Sequence, residues 1–269
     1  MRGASRASYT ELRERLTEAA RGAVTAGRVG DELFAVVRLL DNEHGLRRAL
    51  ADPTKQSAEK SAVAGRLLHG KISAATEKLV AGAVAARWAS PSDLSDAIEQ
   101  LAIEAFTLAA QFGKSLDDLE DDLFRFGRLV SAQPGLRSVL VGSTGQDAKA
   151  SLLAGLLSDK VSAVSLSLIT QVLTHPRGRS PQAVLDLCAS IAARRREQLI
   201  AVVRVATELS AAQRQRLADT LTSAYGQGIH LNVVHDPAVV GGVSVQIGDE
   251  LVDGTIASRL AEVRRNLAS

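Results

Sequence analysis

The sequence predicts a mainly α fold: two tandem duplicated helical bundles that share a long helix, followed by a small C-terminal α/β domain with a short sheet. Composition is the first indication, because 46% of the 269 residues are apolar but only 3% are aromatic. Such a balance favours closely packed helices over large aromatic pockets. The other two indications are an internal repeat and a change of residue pattern near residue 199.

The repeat has a period of ninety residues. Residues 31–50 align without gaps on residues 121–140, with nine identical positions where chance gives about one or two. Those positions are Asp31, Leu33, Phe34, Arg38, Leu39, Gly45, Leu46, Arg47 and Leu50, each matched ninety residues later. "AGRLLHGKISAAT" (64–76) also matches "AGLLSDKVSAVS" (154–165) after a one-residue deletion, and Ser90-Pro91 recurs as Ser180-Pro181. We therefore expect two similar bundles, residues 8–112 and 100–198, with Leu33/Leu123 and Phe34/Phe124 in like environments.

Each copy is expected to be a series of helices. In the first copy they cover 9–26, 32–41, 46–51, 57–68, 73–88 and 92–112. Asp52-Pro53 ends the third helix, because a residue before proline avoids the α region, and Ser57 is the expected cap of the fourth. The ninety-residue offset places the first helix of copy two at 99–116. "LAIEAFTLAAQF" (101–112) is apolar on nearly every face, as a helix shared by two bundles should be.

The last seventy residues have a different pattern. Strands are expected at 199–206, 230–234, 243–247 and 250–252, with Gly248-Asp249 as a hairpin turn. A helix at 209–226 begins with the capping box Ser210…Gln213. A final helix, capped by Thr255, carries one apolar stripe formed by Ile256, Leu260, Val263 and Leu267. The expected domains are thus 1–112, 113–198 and 199–269.

Patterns typical of catalysis or ligand binding are weak. Gly65–Lys71 has the spacing of a phosphate loop, but Ile72 stands where magnesium needs a hydroxyl, and the preceding residues are helical rather than a strand. Cys188 in "VLDLCASIA" fits a buried helix position better than a nucleophile. No histidine pair has metal-ligand spacing, and the acidic run at 117–122 is typical of a solvated helix face. We expect no catalytic residue, no cofactor and no metal.

Charge and hydropathy limit the kinds of partner that we expect the chain to bind. Lys plus Arg is 32 against 30 acidic residues, which argues against a nucleic-acid binder with a concentrated basic face. No stretch approaches the roughly 20 apolar residues that span a bilayer, so we expect a membrane link only through partners. "VSAVSLSLITQVLT" (161–174) has no charged residue. That helix is either covered within its own bundle or exposed for a partner helix.

The C-terminal stretch carries a long pattern, D-P-x3-G-G-x5-G-x4-D-G-[ST]-x3-R-[LF]. Its positions are Asp236, Pro237, Gly241, Gly242, Gly248, Asp253, Gly254, Thr255, Arg259 and Leu260. The pattern resembles the C-terminal signature of the delta subunits of F-type ATP synthases, whose mitochondrial counterpart is the oligomycin-sensitivity-conferring protein. "LFRFGRLVSAQPGLRSVL" (123–140) also resembles the family's second and third helices. The usual member has one helical unit, so the additional copy here is a departure.

The resemblance implies a non-catalytic stator, peripheral on the cytoplasmic face of the bacterial plasma membrane. In the family, the helical domain grips N-terminal helices of the alpha subunits, and the C-terminal domain holds the b-subunit stalk. Carried onto copy two, this docking mode predicts a groove lined by Leu101, Leu108, Phe112, Ser165, Leu166, Ile169 and Val172. The signature glycines are expected to shape turns of a stalk platform rather than a ligand loop. A free-standing helical adaptor remains the alternative function, and an enzyme is disfavoured by the lack of paired titratable groups.

Overall fold

The computed structural model describes residues 3–197, 200–207, 209–225, 229–236, 239, 241–247 and 250–253. The chain forms two compact units, Met1–Ala192 and Ala193–Ser269. The first unit is entirely helical in its described part, and the second combines one further helix with a four-stranded sheet. The predicted class, mainly α with a small C-terminal α/β part, is therefore confirmed. The first unit holds the two predicted helical copies as far as Ala192, and the predicted boundary at 112/113 stays a prediction.

Six helices form the first copy. They are α1 (Ala4–Ala19), α2 (Ala23–Asn42), α3 (His44–Ala51), α4 (Ser57–Leu68), α5 (Ala74–Ala85) and α6 (Pro91–Phe112). The expectation of one helix over 9–26 is wrong, because the helix is interrupted after α1 and Gly22 takes a φ of 92° before α2. Ser57 is not a cap but the first residue of α4, and its hydroxyl donates to the Ala85 carbonyl at 2.9 Å.

Helix α6 is the centre of the first unit. All ten residues from Leu101 to Ala110 are buried. Helices α1, α2, α3 and α5 pack against it, and so do α7 (Leu116–Ala132) and α10 (Ala163–Thr174) of the second copy. A helix surrounded in this way needs apolar residues on every face. The expectation that 99–112 is buried from two sides is confirmed.

The remaining helices of the second copy are α8 (Pro134–Val141), α9 (Gln146–Leu157) and α11 (Pro181–Glu197). Their buried positions follow those of the first copy. Thr76, Leu79, Val80, Ala83 and Val84 of α5 correspond to Ser165, Leu168, Ile169, Val172 and Leu173 of α10. Buried Lys60, Ala64 and Leu68 of α4 correspond to Lys149, Leu153 and Leu157 of α9. These pairs are 89 residues apart, which places the one-residue deletion before α9 rather than within it.

A shared polar contact also fits the repeat. Ser73 and Ser162 cap α5 and α10 through their side chains. An acidic residue of the second helix in each copy contacts the cap: Glu32 accepts from the Ser73 hydroxyl at 2.6 Å, and Asp122 accepts from the Ser162 N–H at 3.1 Å. A carboxylate at a helix N-terminus is favoured by the helix dipole. These agreements support the duplication, which stays a prediction until the two bundles are compared as separate folding units.

One pair of equivalent residues does not match. Leu33 and Leu123 are both 1% exposed, but Phe34 is 4% exposed and Phe124 is 62% exposed. The expectation of like environments therefore holds for the leucines and is wrong for the phenylalanines.

The second unit contains β1 (Ile200–Val205), α12 (Ala211–Tyr225), β2 (His230–His235), β3 (Val243–Ile247) and β4 (Glu250–Asp253). The strand order is β2-β1-β3-β4, with β1 parallel to β2 and antiparallel to β3. Side chains of Ala201, Val203 and Val245 form its core with Leu221 of α12. The capping box is confirmed, since Ser210 N donates to Gln213 Oε1 at 2.9 Å. The expected turn at Gly248-Asp249 and the helix after Thr255 lie outside the described residues.

Candidate binding surfaces

The groove predicted between residues 101–112 and 161–174 is not a surface. Leu101, Leu108, Ser165, Ile169 and Val172 are at most 1% exposed. Helix α10 packs against α9, α7, α6 and α2, so its lack of charge reflects coverage within its own unit. Of the seven predicted residues, Phe112 is 38% exposed and Leu166 is half-buried.

The first copy itself provides part of this cover. Gln171 of α10 accepts a hydrogen bond from Arg38 Nη1 at 2.8 Å and donates one to Asp31 Oδ1 at 2.8 Å. Both of these partners belong to α2. The first copy therefore covers α10 around Gln171.

A partly buried ion-pair network lies beside this contact. Arg177, in the loop between α10 and α11, reaches Asp41 at 2.6 Å, Glu99 at 2.7 Å and Asp96 at 2.9 Å. Arg179 also pairs with Glu99, whose side chain is 3% exposed. Burial alone would lower the pKa of Arg177, but Glu99, Asp41 and Asp96 outweigh that effect and raise it. The network joins α2, α6 and the α10–α11 loop.

A cavity of about 460 Å³ adjoins the network, lined in part by Phe34, Arg38, His175 and Arg177. Burial, followed by the charge of Arg38, lowers the pKa of His175. The carboxylates beside Arg177 are already paired, so the cavity offers no unpaired catalytic couple. The sequence contained no signal for this network, because its members are up to 136 residues apart.

A second groove lies between α7 and α11 and was missed by the sequence analysis. It has a volume of about 410 Å³, and its lining includes Leu123, Phe124, Gly127, Arg128, Leu185 and Asp186. We call it the α7–α11 groove. The two helices are joined at one end by a hydrogen bond from the Ser131 hydroxyl to Gln182 Oε1 at 2.8 Å. That bond joins the last turn of α7 to the first turn of α11.

The equivalent seam in the first copy also borders a cavity, the one of about 460 Å³ lined in part by Phe34 and Arg38, but its phenylalanine is covered. Phe34 of α2 packs on Phe106 of α6, with ring centroids 6.0 Å apart. A methyl group at Gly30 would lie only 2.7 Å from the Phe106 ring, so glycine permits this close approach. Ninety residues later, Glu120 replaces Gly30 and Arg196 replaces Phe106. A comparison of the two copies along this seam is the signal that could have revealed the groove.

In the second unit, the described signature residues shape the backbone. Gly241 and Gly242 have φ values of 121° and 82°, which L-residues with side chains rarely adopt. The Asp236 N–H donates to the Val205 carbonyl at 3.0 Å, which ties the start of this loop to β1. Asp253 ends β4. Pro237, Gly248, Gly254, Thr255, Arg259 and Leu260 lie outside the described residues.

This unit also has surfaces that a partner could meet. A groove of about 680 Å³ borders α12 and is lined by Ala211, Arg214, Gln215, Ala218, Ile229 and Leu231. The edge strand β4 exposes Leu251 and Val252, at 59% and 48%. Unpaired strand edges with exposed apolar residues are common protein-binding surfaces.

The other residues that the sequence suggested as candidates for ligand binding or catalysis, Gly65, Lys71 and Cys188, have structural roles. Gly65 lies inside α4, and Lys71 follows it in a turn where its N–H donates to the Leu68 carbonyl at 2.9 Å. A helix rather than a strand thus precedes Lys71, unlike the strand-loop-helix order of phosphate loops. Cys188 is fully buried in α11, and burial raises the pKa of its thiol. Across the described ranges no helix is long and apolar enough to cross a bilayer, and no three metal-ligating side chains cluster.

Comparison with known proteins shows which family the chain resembles. The family model "ATP synthase delta (OSCP) subunit" matches residues 102–267, so its match begins inside α6 and leaves α1–α5 outside. Proteins named "ATP synthase subunit delta" match over the full length of both chains. They come from Thermobifida fusca (47% identical over 269 residues), Streptomyces griseus (45% over 270) and Acidothermus cellulolyticus (43% over 274).

These full-length matches extend over both helical copies, so the additional copy is shared with those relatives. The family model accounts for α7–α11 and the second unit. Together with the confirmed fold class, these matches show that the chain belongs to the ATP synthase delta (OSCP) subunit family.

Proposed function

We propose that the chain is the peripheral-stalk, or stator, subunit of a proton-translocating F-type ATP synthase. Its helical unit binds N-terminal helices of the alpha subunits in the catalytic head, and its C-terminal unit binds the b-subunit stalk. The connection stops the head from turning with the rotor. The subunit is peripheral on the cytoplasmic face of the plasma membrane and meets the membrane only through partners.

The observation that carries this proposal is the division of a family member into two separate folding units. A connector between two bodies needs two attachment surfaces, and each unit has its own core and its own surface groove. The helical unit is also internally cross-linked by the partly buried Arg177 network. Such a network suits a part that transmits force, because loss of Arg177 would leave the buried Glu99 carboxylate with one cationic partner fewer.

We propose further that the subunit performs no bond chemistry. Two buried titratable groups of the described structure, Glu104 and Lys149, have structural partners. Glu104 accepts from Tyr9 at 2.7 Å and pairs with Arg13 at 2.6 Å, and Lys149 donates to the Leu140 carbonyl at 2.8 Å.

The experiment is a pull-down with separate baits for the two ends. The full chain should retain both an alpha-subunit N-terminal peptide and the soluble b-subunit stalk. A chain ending at residue 197, where α11 ends, should keep the peptide and lose the stalk. Retention of the stalk by the shortened chain would remove the assignment of the C-terminal unit.

A free-standing adaptor that docks amphipathic helices is the second candidate, and the α7–α11 groove is the observation that favours it. The same experiment separates the two functions. An adaptor would bind helical peptides of several kinds and would not retain the stalk. It would also be absent from synthase purified through another subunit.

A further inference from the structure

The α7–α11 groove differs from its counterpart in the first copy by an exposed phenylalanine. Helix α6 contacts helices of both copies, and its Phe106 packs on Phe34. Helix α11 serves one copy only and becomes charged at Arg194, Arg195 and Arg196. The second copy therefore has no aromatic partner for Phe124, which remains 62% exposed.

The groove has an apolar floor and charged rims. Leu123 and Leu185, both 1% exposed, form the floor beneath Phe124. Arg128 is exposed on the α7 side, and Asp186 is exposed on the α11 side. Asp186 already accepts a hydrogen bond from Gln182 at 2.7 Å, and that contact leaves its carboxylate on the rim. Opposite charges on the two rims select both the charges and the direction of whatever lies between them.

Gly127 keeps the groove wide at its centre. A methyl group there would lie 3.4 Å from Gln182 Nε2, so a larger side chain would fill the space between the helices. The lining positions of α7 extend from Leu123 to Ala132, which is about 14 Å of helix. A partner helix of two to three turns matches that length.

We propose that the α7–α11 groove binds one amphipathic helix of a partner subunit. Aliphatic side chains of this helix pack on Phe124, a carboxylate meets Arg128, and a basic side chain meets Asp186. The proposal rests on the proposed function, in which alpha-subunit helices reach this unit, and it moves their contact away from the buried α6–α10 seam.

Site-directed labelling tests whether a partner covers the groove. Phe124→Cys in the full chain should react quickly with a maleimide, since Cys188 is fully buried and stays unreactive. In the assembled synthase the reaction should slow by about tenfold or more. Val141→Cys on α8, 65% exposed in the isolated chain, is the control and should keep its rate within about twofold. An unchanged rate at residue 124 overturns the proposal.

A benzophenone attached to the same cysteine identifies the occupant. We expect a crosslink to an amphipathic helix of an alpha subunit. A crosslink to an amphipathic helix of another subunit keeps the groove but contradicts the alpha-subunit contact in the proposed function. A crosslink to a second copy of this chain, or to its own C-terminal unit, overturns the groove proposal.

Affinity measurements test the chemistry of the rims. Phe124→Glu should weaken binding of an alpha-subunit N-terminal peptide by about tenfold or more, since it puts a charge on the apolar face. Reversal of both rims, with Arg128→Glu and Asp186→Lys, should weaken binding by roughly three- to tenfold. Arg125→Glu, on α7 but outside the lining, is the matched control and should leave the affinity unchanged.

The outcomes separate the two proposals. If the peptide binds the wild-type chain and all groove variants equally, the proposal that the groove binds this helix is overturned, and the proposed stator function stands. If the peptide does not bind the wild-type chain, the proposed contact with the alpha subunits is contradicted. The labelling rates then decide whether a partner covers the α7–α11 groove.

Discussion

Phe34 and Phe124 show how one residue type acquires two roles within a repeat. Both follow a buried leucine and occupy equivalent helices, yet only Phe34 finds an aromatic neighbour. Ninety residues after Phe106 the sequence has Arg196, which supplies no aromatic ring. Local pattern predicts that such a phenylalanine is buried, and only the partner helix decides whether it is.

The pair makes a matched stability prediction. Phe34→Ala should cost about 3–5 kcal/mol of unfolding free energy, because it empties a packed aromatic site. Phe124→Ala should change that free energy by no more than about 0.5 kcal/mol, since the ring is already in solvent. Urea unfolding of the full chain, followed by helix signal, measures both. Equal costs for the two substitutions would contradict the open groove.

At the scale of elements, the ends of helices could be predicted from the sequence where a proline marks them. The residue before Pro53 ends α3, and Ser90-Pro91 begins α6, as expected from proline geometry. The break at Ala20–Gly22 was not predicted, because alanine and arginine beside the glycine continue a helical pattern. The uncharged face of α10 was ambiguous for a physical reason: a surface covered by the same chain and one covered by a partner need the same residues.

Gly242 allows a prediction about the loop that leads into β3. Its φ of 82° is accessible to glycine, less so to asparagine and hardly to valine. Gly242→Val should therefore destabilise the C-terminal unit by more than about 1 kcal/mol, whereas Gly242→Asn should cost less. The two variants can be compared by thermal unfolding of the second unit. Equal stability of the valine variant and the wild-type chain would show that the positive φ is not required in solution.

For the whole molecule, the central position of α6 explains why the chain tolerates a helix that is buried on nearly every side. Helices that precede and follow it in the chain pack against α6, so Ile98, Leu101 and Phe106 are all at most 2% exposed. The sequence allowed this sharing to be predicted, because the ninety-residue offset overlays residues 9–26 on 99–116. It did not allow the Arg177 network or the α7–α11 groove to be predicted, since both depend on how distant segments meet.

The shared helix leads to a prediction about the additional copy. A chain that begins at residue 91 keeps α6–α11 and the C-terminal unit but exposes the α6 face that α1 and α2 cover in the full chain. That face includes Phe106, which contacts Gly30 and Phe34. An exposed apolar strip is unfavourable in water, so we expect the shortened chain to self-associate and the full chain to stay monomeric. Light scattering after size-exclusion chromatography measures the masses, and Phe106→Glu in the shortened chain is the control that should restore the monomer. A monomeric shortened chain without that substitution would mean that the two copies are independent bundles and that the sharing of α6 contributes little to stability.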